Sequence, residues 1–151
     1  MITIQEESFI ETQDEFKPLF PLHWQELALN KDKVPLDPQY DVYFERERRG
    51  EMVFVTMRED GEPIGYFIGF VAPGLHYKTC LTCTMDIFYV HPDKRQGRAG
   101  IKLFKFVEDV LRKRGVDRWF VGSKCHADAS ALFKYLKFEQ VEIYFSKWIG
   151  E

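Results

Sequence analysis

The chain has 151 residues, of which 45% are hydrophobic and 30% charged, so it can bury one good core but not two comfortable ones. Its net charge of −3, with Lys and Arg dispersed among acidic residues, argues against a general nucleic-acid binder. The longest uncharged stretches contain Gly and Pro and are too short for a membrane span, and the acidic N-terminus has no secretory signal pattern. These features predict one cytoplasmic domain over residues 1–151, with no membrane partner.

The first half of the chain predicts a strand, two helices and a hairpin. The segment ITIQEES alternates apolar and polar residues, as an edge strand does. Helices are predicted from Pro21 in PLHWQELALN and from an N-cap at Asp37 to a stop at Gly50. Strands rich in Val, Ile and Phe then flank a predicted turn at Asp60–Gly61.

The second half predicts strand, helix, strand, helix, strand. LTCTMDIFYVHP reads as a strand that ends at Pro92, and a helix follows that stops at Gly115. VDRWFVGSK, ADASALFKYLKF and QVEIYFSKWI predict a strand, a short helix with Asp128 as cap, and a last strand. The order β-α-α-β-β-β-α-β-α-β predicts an α/β (α+β) domain with a mixed, mostly antiparallel sheet flanked by helices.

A cationic, glycine-bearing turn joins the central strand to the long helix, in the segment HPDKRQGRAG. Such a turn directs several backbone N–H groups and the positive end of the helix dipole at one point, which favours binding of an anion such as phosphate. Small residues there allow close approach of the backbone. They are Gly97, Ala99 and Gly100, and Lys94, Arg95 and Arg98 are predicted beside them as cations without carboxylate partners. An ordinary solvated turn is the alternative.

The stretch DIFYVHPDKRQGRAGIKLFKFVEDVLRKRG and the later HADASALFKYLKF resemble the GNAT superfamily of acyl-CoA-dependent N-acyltransferases. The family pattern V-x-P-x-x-R before a loop R/Q-x-x-G-x-G/A matches Val90, Pro92, Arg95 and Gly100, with Arg98 in place of the middle glycine. A register shifted by one uses Lys94, Gly97 and Ala99 instead, and both registers stay open. PLHWQELAL, DGEPIGYFIGF and HYKTC are further similar to bacteriophage GNAT proteins, which would place the chain in a host cytoplasm.

The resemblance implies an acetyltransferase that moves acetyl from acetyl-CoA to a primary amine of a small molecule or protein. It implies that the coenzyme contacts the end of the central strand, the loop, and the motif N-x-x-A-x-x-x-Y-x-x-x-G-F near the C-terminus. The implied cofactor-binding residues are Phe88, Tyr89, Val90, Arg95, Gln96, Gly97, Arg98, Ala99, Gly100, His126 and Phe133. Phe133 stands where that motif has the Tyr that acts as an acid. Tyr135 lies about 200° round the helix from it, so we do not expect Tyr135 to substitute for that Tyr.

Three residues are candidate catalytic groups. Asp86 lies four residues before Val90, which by the period of two predicts the same strand face, and its position resembles that of the family's general base. His23 and Glu26 stand at i and i+3 on one helix, where the resemblance implies an acceptor cleft, and are assigned to orienting the amine. His76 is expected near the same cleft. Each has a simpler alternative as a solvated or packed residue.

Cys80 and Cys83 form a C-x-x-C without a second ligand pair, so we expect no metal. The alternative function is a GNAT-fold module that holds coenzyme A or another anion without turnover, in a regulatory or assembly role. A monomer or a homodimer is compatible with the sequence.

Overall fold

The computed structural model describes residues 1–151 as one mixed sheet with helices on both faces. The strands are β1 (Ile2–Glu6), β2 (Met52–Glu59), β3 (Glu62–Pro73), β4 (Leu81–Val90) and β5 (Arg118–Phe120). The helices are α1 (Phe9–Phe16), α2 (Leu19–Leu27), α3 (Tyr40–Arg48), α4 (Ala99–Lys113) and α5 (Ser130–Tyr135), with a 3-10 turn at Pro92–Lys94. No helix has the length and apolar character needed to cross a bilayer.

The sheet order follows the chain, β1-β2-β3-β4-β5, and confirms the predicted mixed architecture. The first three pairs of neighbouring strands are antiparallel, whereas β5 runs parallel to β4 because α4 carries the chain back across the sheet. The predicted hairpin turn is present. Asp60 and Gly61 both have positive φ, 50° and 87°, as a two-residue turn with the twist of its strands requires.

Each face of the sheet carries its own core. On one face, α4 buries its apolar side, including Leu103, Phe104 and Val107, against the sheet. On the other face, aromatic residues of α1 and α2, such as Phe9 and Phe16, pack against β2, β3 and β4. The sheet is therefore covered on both sides, and β4 lies between the two cores.

Two irregularities of β4 create the space for a site. Ile87 pairs with Ile68 and Met85 pairs with Gly69, so Asp86 is an extra residue, a β-bulge. In addition, β5 pairs only with Thr82–Thr84, so the stretch Met85–Val90 has no strand on that edge. Strands β4 and β5 therefore separate near the bulge.

Three parts of the fold differ from the sequence-based expectations. Helix α1 was not predicted, because only Phe9 and Phe16 are apolar and buried in it; its first turn is capped by Ser8 and by Glu47 of α3. The predicted last strand does not form, and residues 139–151 are irregular and exposed. Apolar alternation shows what a strand could bury, but it does not provide a partner edge.

The helix starts also differ. Helix α2 begins at Leu19, before Pro21, and α3 begins at Tyr40, so Asp37 does not cap it. Gly50 and Gly115 follow their helices with positive φ, as predicted for helix stops. The N-cap position of α5 is Ala129, one residue after the predicted Asp128, whose carboxylate accepts the backbone N–H of Ser130.

Candidate active site

The turn before α4 presents an uninterrupted row of free backbone donors. None of the six amides from Gln96 to Ile101 donates a hydrogen bond within the protein. Gly97 has φ of +73°, a conformation that side chains disfavour, and a Cβ added at Gly100 would lie 3.4 Å from Leu132, an ordinary contact distance. Free amides and the positive end of the α4 dipole are the features that favour binding of an anion at a helix start.

The cations of this turn are less free than expected. The Lys94 ammonium lies 2.6 Å from a Glu59 carboxylate oxygen. Arg95 binds Glu26 through both terminal nitrogens, at 2.6 and 2.5 Å, and donates its Nε–H to the Val90 carbonyl at 2.7 Å. The expectation of unpaired cations is therefore wrong for these two.

Arg98 is the turn's remaining cation. It makes no ion pair and donates to the Tyr135 hydroxyl at 2.8 Å. Its charge is therefore available to an anion at the turn.

A cavity of about 1100 Å³ connects this turn to the opposite side of β4. Its wall includes the strand-free stretch of β4, the turn, α5, and α2 with the segment that leads to α3. The predicted site residues on the wall are His23, Glu26, Asp86, Phe88, Tyr89, Val90, Arg95, Gly97 and Gly100. The cavity is mostly apolar, and its polar residues lie at the turn, near Asp86, on α2 and in the segment before α5.

The bulge turns Asp86 away from the face predicted for it. Val90 packs in the α4 core, whereas the Asp86 carboxylate accepts a hydrogen bond of 2.5 Å from the Tyr43 hydroxyl of α3, on the other side of the sheet. The prediction of a shared face is wrong because the extra residue interrupts the alternation.

Protein atoms surround the Asp86 carboxylate although the residue is exposed to the open cavity. Desolvation raises its pKa above the usual range, opposed by the hydrogen bond from Tyr43 and by the charge of Arg46. The pKa of Tyr43 is raised as well, first by burial and then by the charge of Asp86, so the phenol keeps its proton and remains the donor. A raised pKa makes this carboxylate a stronger proton acceptor than an ordinary aspartate.

His23 lies in the wall as a neutral imidazole. It is 7% exposed, its Nδ1 lies 2.7 Å from the Tyr66 hydroxyl, and its ring stacks on Tyr89 with centroids 5.0 Å apart. Burial lowers its pKa to about 4. Glu26 lies near His23 on α2, and its carboxylate binds Arg95. It therefore faces the turn before α4, and not the space where an amine acceptor was expected.

The remaining predicted residues do not line the cavity. Ala99 and Phe133 lie in the α4 core, and the Nε2 atom of His126 lies 3.1 Å from the Leu27 carbonyl. Gln96 and Arg98 belong to the turn without forming the cavity wall, and His76 packs on its neighbour Tyr77 in the loop between β3 and β4.

Helix α5 exposes a different aromatic residue to the cavity than its sequence pattern indicates. The Phe133 ring packs against Phe88, Phe104 and Phe138, whereas Tyr135 lines the cavity. The separation of about 200° on the helix agrees with this arrangement. The expectation that Tyr135 does not serve the site is wrong, because the cavity lies on the face of α5 that carries Tyr135.

The cysteines occupy separate environments. Cys83 is buried in the α4 core, where burial raises its pKa to about 12, and Cys80 is half-buried before β4. The structure contains no cluster of three or more His, Cys, Asp or Glu side chains with the spacing of a metal site.

Residues 11–138 match the sequence model of the acetyltransferase (GNAT) family. The chain belongs to this family. No curated protein sequence matches it. The recognised family accounts for the strand-turn-helix arrangement around the free amides, and it confirms the resemblance inferred from the motifs.

Solved structures support the fold. A GCN5-related N-acetyltransferase from Ralstonia eutropha JMP134 superposes with a TM-score of 0.78 at 15% identity, covering 99% of this chain and 100% of the other. An aminoglycoside acetyltransferase from an uncultured soil metagenomic sample gives 0.77 at 14% identity, covering 99% of both chains. A predicted acetyltransferase from Clostridium acetobutylicum, in a crystal structure with acetyl-CoA, gives 0.71 at 12% identity, covering 99% and 97%.

Proposed function

We propose that this GNAT protein transfers the acetyl group of acetyl-CoA to a primary amine of a small molecule or a protein. The observation that carries the proposal is the row of six free amides at the start of α4, which opens on the same cavity as the strand-free stretch of β4. When bound, acetyl-CoA supplies an activated thioester, and the residues described below bind it, position it and move protons.

The turn fits the pyrophosphate of the coenzyme. Successive N–H groups from Gln96 to Ile101 match an anion with several oxygens, and Gly97 and Gly100 keep the approach open. Arg98 adds a charge without a carboxylate partner. Arg95 acts on the geometry of the turn, because Glu26 neutralises its charge and its Nε–H is donated to the Val90 carbonyl.

The free edge of β4 fits the amide-bearing arm of the coenzyme. Backbone groups of Met85–Val90 that point away from β3 need hydrogen-bond partners, and an extended arm with its own amides provides them. The side chains around this edge, such as Phe88 and Leu132, are apolar, as suits the aliphatic part of that arm.

Asp86 is assigned as the group that takes the proton from the amine. As the amine nitrogen bonds to the acetyl carbon and the carbon–sulfur bond breaks, one proton leaves the nitrogen and one is needed by the departing thiolate. One oxygen of Asp86 is bound by Tyr43 and the other has no protein partner, so it can face the amine. The bulge places this carboxylate where β4 and β5 separate.

Tyr135 is assigned as the donor for the thiolate. Its oxygen accepts a hydrogen bond from Arg98, which leaves the phenolic proton free to be donated into the cavity. In the sequence, Phe133 stands at the position of the family's Tyr, so that position has no group that can donate a proton. Tyr135 is assigned that role instead.

Calorimetric titration with coenzyme A tests the cofactor site. Gly100→Asp adds a negative charge within the amide row but suits a helix first turn, so the fold should persist while affinity falls at least about 100-fold. Gly100→Ala is the matched control, since it adds a methyl group near Leu132 without charge and should retain most of the affinity. Unchanged affinity in Gly100→Asp would remove the proposal.

Turnover is tested by thiol release from acetyl-CoA over a broad panel of amines. We expect thiol release with at least one acceptor, and we expect Gly100→Asp to abolish that release. Tight coenzyme binding without release for any amine would instead favour the non-catalytic module.

A further inference from the structure

We infer that the acceptor of this enzyme carries an anionic group as well as its amine, and that Arg46 binds that group. The inference rests on the proposed acetyl transfer and names the acceptor class for it. It starts from a second cavity of about 450 Å³ that adjoins the larger one. The two cavities share Asp37, Pro38, Tyr43, Met85 and Asp86 as wall residues, so Asp86 faces both.

Arg46 lies in the wall of the second cavity and forms no ion pair, although its charge acts on the Asp86 carboxylate. Its guanidinium packs on the Phe70 ring, 4.4 Å from the ring centroid, and neither an ion pair nor a side-chain hydrogen bond involves it. The neighbouring arginines differ, because Arg48 and Arg49 approach Glu45 within 4.0 Å. All five donors of Arg46 are therefore available, in a half-buried position held by stacking.

The distribution of charge sets the orientation of a ligand. An ammonium group is attracted to Asp86, and Asp37 at the shared rim adds to that attraction. A purely cationic acceptor would meet an opposing charge at Arg46, whereas a ligand with a carboxylate or phosphate at its other end neutralises it. The free polar side chains of Gln39 and Thr84 in the same wall supply further hydrogen bonds to such a group.

Matched pairs of acceptors test this inference. We would compare L-phenylalanine with phenethylamine, L-leucine with 3-methylbutylamine, and O-phosphoethanolamine with ethanolamine, by kcat/KM for thiol release and by calorimetry on the coenzyme-saturated protein. The wild type should favour the anionic member of at least one pair by about 10- to 100-fold, the range for a charge-assisted contact. The third pair distinguishes phosphate from carboxylate.

Arg46→Gln should reduce that preference to near unity, and Arg48→Gln on the same helix is the control that should retain it. Equal or better performance of the plain amine in every pair, no binding of any anionic probe, or a preference that survives Arg46→Gln would each overturn the inference. The proposed function is tested separately, by coenzyme binding and by thiol release with any amine of the broad panel, anionic or not.

Discussion

His23 gives a quantitative prediction about stability. In the folded protein its pKa is about 4, because burial disfavours the imidazolium, whereas in the unfolded chain it returns to about 6.5. Below pH ~6.5 the unfolded state therefore binds a proton that the folded state does not, so stability is lost as pH falls toward ~4. From these two pKa values, the loss between about pH 7 and pH 5 is about 2 kcal/mol.

The assay is urea unfolding at these two pH values for the wild type and His23→Asn. The asparagine amide can still reach the Tyr66 hydroxyl, but it does not titrate. The variant should lose about 2 kcal/mol less than the wild type between the two pH values, whatever its stability at pH ~7. His76, His91 and His126 are present in both proteins, so their contributions cancel. An identical pH dependence would show that His23 is not held neutral by burial.

Three further predictions concern the site. Asp86→Asn should lower kcat/KM by about two to four powers of ten and leave coenzyme affinity nearly unchanged; wild-type kcat/KM across the pH profile would eliminate it as the base. Tyr135→Phe should lower kcat about 10- to 100-fold, whereas Phe133→Tyr should destabilise the core by about 1–3 kcal/mol without raising kcat. An unchanged kcat in Tyr135→Phe together with a higher kcat in Phe133→Tyr would show that the acid position is at residue 133. Glu26→Gln and Arg95→Gln should each weaken coenzyme binding, and calorimetry of the double variant should show non-additive losses; additive losses would show that the pair does not act as a unit.

The family, most of the sheet and the glycine-bearing turn before α4 could be predicted from the sequence because each depends on local signals. Strand alternation, the Asp60–Gly61 turn and the glycines before α4 all act within a few residues. The site required long-range information. One extra residue at Asp86 reverses the face of a strand, and its contact with Tyr43 joins positions 43 residues apart. The pairing of Arg95 with Glu26 spans 69 residues.

The residues proposed to contact the acceptor and the leaving thiolate could not be predicted from local sequence patterns either. Arg46 sits among charged residues in ERERRG and has no distinguishing pattern, so only its place beside Phe70 and Asp86 separates it from its neighbours. The place of Tyr135 in the cavity wall is not predictable from the sequence, because helical spacing alone does not give the direction of the cavity relative to α5.

The backbone amide resonances of Gln96–Ile101, followed by NMR during titration, test the central claim most directly. Coenzyme A should shift these six amides strongly, because its pyrophosphate becomes their hydrogen-bond acceptor, while pantetheine, which lacks the pyrophosphate, should leave them nearly in place. Saturable coenzyme binding that leaves the Gln96–Ile101 amides unshifted would contradict the account.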